Sequence, residues 1–193
     1  WRTWRIRNIE TGDDLNDVIE WSKFSGAAWA PDSSGFYYSR YPAPESPLEQ
    51  VNENQQVYFH KLGTPQTDDA LIYADPDQPT RGFGADVSED GSLLWMGVWE
   101  GTEPKNRLYY WKLDDNGAPQ GDAIRVFDEF DAQYSVLAND GTRVWVQTNK
   151  DAPRSKVFSF DLSAPTDWTE VIPQADETLR YANVAGDTIF AVY

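Results

Sequence analysis

The feature that most constrains this chain is internal repetition, because a fixed period dictates stacked equivalent units before any single segment is assigned. One alternating, aromatic-rich segment ending in an aliphatic residue recurs at residues 4–9, 57–62, 108–113 and 157–162. The copies lie roughly fifty residues apart, the period of the longer propeller repeats. A second short apolar segment follows each copy, at 18–19, 71–73, 124–127 and 171–172. Next comes a small, mixed segment at 26–29, 84–87, 134–137 and 181–184, suited to a crowded inner strand. A turn containing Gly35, Gly91, Gly141 or Gly186 follows, where glycine at positive φ is expected to reverse the chain. The period closes with a strand at 36–39, 93–96, 144–147 and 189–192.

Four short strands and a reversal per period predict one propeller blade. The expected fold class is all-β: a β-propeller segment of about four four-stranded antiparallel blades, with blade pieces at about 1–22, 23–75, 84–128, 131–175 and 177–193. The spacing leaves no room for crossover helices, which excludes a parallel α/β sheet. Aromatic content agrees with a sheet protein, with nine Trp, ten Tyr and nine Phe. The segment begins inside one blade and stops inside another, so on its own it is expected to bare apolar faces and strand edges and to be aggregation-prone or molten.

The net charge of −16 argues against nucleic acid and anionic membranes, which need clustered Lys and Arg. Acidity of this size reads as a solvated, aggregation-resistant surface. The chain has no cysteine, which rules out disulfides, thiolate zinc sites and a Cys nucleophile within it. No apolar run approaches the roughly 18 residues of a membrane span. The start, Trp1 to Arg5, has neither an initiator methionine nor a signal peptide, so an excerpt from a longer, soluble protein of the cytoplasm or periplasm is expected. No cofactor is expected.

The remaining polar features read as structural. His60 is the only histidine and lies in an alternating strand, where it is expected at the surface or a strand edge, without catalytic partners. Asp13-Asp14, Asp68-Asp69 and Asp114-Asp115 lack the ligand spacing of a calcium loop and read as turns. Residues 88–95 resemble an Asp-box in composition but depart from it in spacing, as a tight Asp-Gly hairpin does. Arg2, Arg5 and Arg7 alternate on one strand face, ready to pair with an acidic neighbour.

Several stretches together resemble the prolyl oligopeptidase family: Lys23-Phe24-Ser25 before Trp29, the run from Gly35 to Pro42, Glu100-Gly101 with Pro104, the run from Asn106 to Trp111, and Gln147-Thr148-Asn149. Their order and spacing cover essentially the whole chain. The resemblance implies a seven-bladed propeller capping an α/β-hydrolase domain that cleaves short peptides after proline. Such a peptidase uses Ser, His and Asp, with the Ser on a Gly-x-Ser-x-Gly elbow. No such elbow occurs here, so the hydrolase domain, the expected partner, lies outside these 193 residues and the segment carries no catalytic residue.

The resemblance further implies that the propeller lends apolar residues to a pocket upstream of the substrate proline. Phe24 matches an aromatic with that role. The loop bracketed by Glu100-Gly101 and Pro104 also reaches the site, which makes Trp99 and Thr102 candidates for the same pocket, although other family members carry Arg and Cys at those two places. A third contributor, often Met in the family, matches Gly82, and the neighbouring Phe83 is expected to supply the lost bulk. Short proline-containing peptides are the implied ligands. Two other readings stay open: a non-catalytic protein-interaction propeller, and a glycan-active propeller using paired carboxylates.

Overall fold

The computed structural model describes residues 1–43 and 51–193, so part of the expected 23–75 blade piece lies outside the described residues. Among the described residues, sixteen strands form four antiparallel sheets. The first sheet holds β1 (Arg2–Arg7), β2 (Asp14–Ser22), β3 (Ala28–Trp29), β4 (Gly35–Arg40), β5 (Gln56–Lys61) and β6 (Ala70–Tyr73). Its order is β1-β2-β4-β5-β6 with β3 on β4, and β2 joins β4 only through the Ser22–Arg40 bridge. The second sheet runs β7 (Arg81–Val87), β8 (Leu93–Glu100), β9 (Asn106–Leu113), β10 (Pro119–Phe127), each strand beside the next. The third repeats this with β11 (Tyr134–Asp140), β12 (Arg143–Thr148), β13 (Lys156–Asp161) and β14 (Ala164–Ile172). A two-stranded sheet, β15 (Tyr181–Ala185) and β16 (Thr188–Val192), ends the chain. Each segment expected from the repeat overlaps one of these strands, although β1 stops at Arg7, before Ile9, and only Ala28–Trp29 of residues 26–29 form a strand.

Sheets stack face to face, and this explains why the middle strands read as continuous apolar runs. In β8, Leu93 and Trp95 enter the core shared with the third sheet, whereas Leu94 and Met96 enter the core shared with the first. In β4, Phe36 and Tyr38 pack against β1 and β2, and Tyr37 packs the other way. A strand covered on both faces alternates between two cores, not between core and water. The edge strands β6, β10 and β14 are more exposed, and their pairing carries register shifts, as does that of β1 with β2. Such bulges add twist and blunt an outer edge against pairing with other chains.

Two expectations are corrected by the packing. Gly91, Gly141 and Gly186 have φ of 71°, 56° and 60°, as the turns require, but Gly35 is not among the positive-φ residues and Ser33, at 59°, takes the left-handed position in that turn. Gly35 is glycine for a different reason: a Cβ there would lie 2.2 Å from the His60 carbonyl oxygen.

His60 is the second correction. It is fully buried, not at the surface, because β5 is covered on both faces. Its Nδ1 lies 2.7 Å from Asp69 Oδ1 and its Nε2 3.0 Å from Asp17 Oδ1. Tyr38 Oη donates to Asp69 Oδ2 at 2.6 Å, and the Gly63 N–H donates to Asp17 Oδ1 at 2.6 Å. Asp69, expected in a turn, is thus a buried partner that ties the start of β6 to β5 and β4, while Asp17 ties β5 to β2. Both imidazole nitrogens are engaged, which leaves neither free to act as a base. The Asp114 turn is as expected, its Oδ1 accepting the Asn116 and Ala118 N–H groups at 2.9 and 2.8 Å, whereas Asp14 opens β2 and pairs with Arg7.

Candidate functional site

The sequence-derived candidates gather at one end of the stacked sheets, where β3 and β7 begin and β4 and β8 finish. The register fixes this, since Ser22 pairs with Arg40, Arg40 with Gln56, and Arg81 with Glu100.

Phe24 sits in the turn between β2 and β3. Its φ is 56°, and Trp21, three residues earlier, has φ 59°. Left-handed backbone at a non-glycine residue costs of order 1–3 kcal/mol and persists only where its surroundings hold it. Here they do. The Tyr41 N–H donates to the Trp21 carbonyl at 3.1 Å, the Ser39 N–H donates to Ser25 Oγ at 2.8 Å, and Gln55 Nε2 donates to the Lys23 carbonyl at 2.9 Å. The outcome is a large aromatic ring that is 57% exposed rather than packed in a core. Lys23 Nζ stands 5.1 Å from the Phe24 ring centroid and 5.5 Å from that of Trp1, and donates to Asn52 Oδ1 at 3.0 Å. The turn therefore presents an ammonium between two aromatic faces.

Trp99, near the end of β8, lies across the start of β7. A Cβ built on Gly82 would fall 2.3 Å from the indole, and one on Gly84 would fall 3.2 Å from it. The two glycines thus form the seat of the ring. Phe83, between them, does not supply that bulk: it is 1% exposed and its ring packs against Tyr73 at 5.1 Å in the core. Strand alternation is the reason, since residues 82 and 84 share one face of β7 and residue 83 points to the other. What Phe83 brings to this end is its backbone, whose N–H donates to Gln55 Oε1 at 2.6 Å and whose carbonyl accepts from Ser39 Oγ at 2.6 Å. Thr102 is exposed, in the turn after β8 that Gly101 opens at φ 56°.

Beside this wall, Arg81 and Arg107 hold Phe130 between them, with guanidinium carbons 5.6 and 4.6 Å from its ring centroid. Arg81 pairs with Asp75 at 2.8 Å, and Arg107 with Asp128 at 2.8 Å. Burial pushes the Asp128 carboxyl up, but hydrogen bonds from Tyr109, Arg125 and Arg107 outweigh it and hold it below the usual carboxylate range. This cluster is internally neutralised, so it stiffens the rim. The sequence reading missed it, together with Gln55 and Ser39. A carboxylate 21 residues from its arginine carries no local signal, and a lone glutamine between aromatic segments carries none either.

Similarity to known proteins agrees with the geometry. The family model described as prolyl oligopeptidase, N-terminal beta-propeller domain, matches residues 1–193. The dual function macrocyclase-peptidase POPB of Galerina marginata is 38% identical over 184 residues, which is 93% of this chain and 25% of that protein. The prolyl endopeptidase of Elizabethkingia meningoseptica is 34% identical over 197 residues, which is 100% of this chain and 27% of that protein. A solved structure of prolyl oligopeptidase B from Galerina marginata, bound to a 35mer hydrolysis and macrocyclization substrate, superposes with a TM-score of 0.88 at 33% identity, covering 98% of this chain and 28% of that one. The chain thus spans between 25% and 28% of the length of these relatives. With the repeat, the stacked sheets and the family match in agreement over the full sequence, this chain belongs to the prolyl oligopeptidase family, within its N-terminal β-propeller domain.

Proposed function

We propose that this propeller segment gates and contacts the substrate of a prolyl oligopeptidase-type serine peptidase that cleaves short peptides after proline, with catalysis carried by an α/β-hydrolase domain of the same polypeptide. In this reading the blade pieces are about 1–22, 23–75, 84–128, 131–175 and 177–193 of a seven-bladed ring. Phe24, Trp99 and Thr102 line the approach to the site upstream of the proline. The observation that carries the reading is Phe24: an aromatic held outward by a left-handed backbone, at the same end of the sheets as the Trp99 indole. An exposed, rigid aromatic gains burial and stacking against an apolar peptide residue and keeps water from the scissile bond. Phe83 contributes through its backbone alone, and Trp99 supplies the bulk above Gly82. Relatives bear both peptidase and macrocyclase names. Peptide recognition upstream of proline serves either outcome.

The test is Phe24→Ala in the intact enzyme. For a peptide with an apolar residue upstream of proline, kcat/KM is expected to fall by about 1–2 kcal/mol of binding, or roughly 5- to 30-fold. Unchanged kinetics would return Phe24 to a purely structural role.

A further inference from the structure

We propose that Gln55 is the positioning residue that fixes the Phe24 turn against the Gly82–Trp99 wall, and thereby sets preference for an apolar residue upstream of the proline. The proposal rests on the reading of Phe24 and Trp99 as substrate contacts.

Gln55 is 1% exposed and lies immediately before β5. Its carboxamide is used at both ends. Nε2 donates to the Lys23 carbonyl at 2.9 Å, and Oε1 accepts from the Phe83 N–H at 2.6 Å. These two groups belong to different sheets, and each belongs to a peptide unit adjoining a proposed wall. The Lys23 carbonyl shares its peptide plane with the Phe24 nitrogen, and the Phe83 N–H shares its plane with the Gly82 carbonyl. Because a peptide unit is planar, gripping one of its atoms fixes the whole plane. Rotation of the Lys23–Phe24 plane is the motion that would let Phe24 relax from φ 56° towards the ordinary extended region. Gln55 therefore opposes relaxation of the strained turn and at the same time sets its distance from β7. Ser39 makes a second bond across the same gap, donating from Oγ to the Phe83 carbonyl, and its N–H meets Ser25 on the far side of Phe24.

The chemistry demands glutamine. Glutamate retains an acceptor for the Phe83 N–H but sets a second carboxylate oxygen against the Lys23 carbonyl. Leucine keeps much of the volume and makes neither bond, leaving a buried carbonyl and a buried N–H unsatisfied. In each case the wall geometry loosens, whereas nothing at a distant catalytic centre changes.

The experiment compares intact enzyme carrying Gln55→Leu, Gln55→Glu, Phe24→Ala or Phe24→Ala with Gln55→Leu. Two substrates are used, one with an apolar residue upstream of proline and one truncated to lack it. Gln55→Leu is expected to lower kcat/KM for the long peptide roughly fivefold or more through KM, with the truncated peptide unchanged within about twofold. The double variant should lose no more than Phe24→Ala alone, since Gln55 acts through that ring. Should Gln55→Leu fail to fold, Gln55→Glu keeps one of the two bonds and is expected to reproduce the loss confined to the long peptide. Equal losses on both peptides, or additive losses in the double variant, overturn the positioning role. If Phe24→Ala itself leaves both peptides unaffected, the failure lies with the wall assignment.

Discussion

His60 shows how burial on both faces of a strand hides a residue's role. From its sequence context it reads as a strand-edge histidine, yet it is sealed between Asp17 and Asp69 with no exposed surface. Removing the ring strands two carboxylates in a dry core. His60→Leu is expected to destabilise the intact protein by about 3–5 kcal/mol, read by urea unfolding, and replacing all three groups by apolar residues should cost less than the single change. Asp161 offers a contrast at the surface. The Ser163 hydroxyl, the Thr142 hydroxyl and the Ser163 N–H hold its carboxyl at about 2, below the model-peptide value of 3.8. A lowered folded-state value means that its stabilisation is complete above pH 3.8 and is lost as pH falls through about 2. Asp161→Asn should therefore flatten the acid limb of the unfolding curve in that window and leave stability from pH 5 upward with a nearly constant offset, as measured by circular dichroism.

At the scale of strands, the repeat made nearly everything legible, because each blade restates the same order of inner, middle and outer segments. Alternation located strands such as β8 and β9 but not the solvent side, since a middle strand has none. Phe83 read as a wall residue because it neighbours Gly82, whereas strand alternation turns its ring to the opposite face and into the core, and Gln55, a lone polar residue just before β5, carried no local signal. Gly35 illustrates the limit for turns: its place in the hairpin pointed to positive φ, whereas the true constraint is the neighbouring strand. Gly35→Ala drives a methyl towards the His60 carbonyl and the Phe59 ring, 2.2 and 2.7 Å away, so β4 and β5 must part. A loss of about 1–3 kcal/mol is expected in thermal unfolding, with faster amide exchange confined to those two strands.

Across these 193 residues taken together, the balance of −16 outweighs any one ion pair. Many of the bridges are exposed, such as Arg7–Asp14 at 2.6 Å, and leave the overall field uncompensated. Under the proposed peptidase function, this charge should favour cationic over matched anionic peptides in kcat/KM of the full-length protein at low salt. The gap should close as ionic strength shortens the Debye length from about 30 Å at 0.01 M to about 8 Å at 0.15 M. Equal rates throughout would remove charge from the account of selectivity. The packing of Trp99 onto Gly82 has a consequence of another kind, for descent. An indole seated that closely couples positions 82 and 99: a lineage that places any side chain at the first must displace or give up the ring at the second.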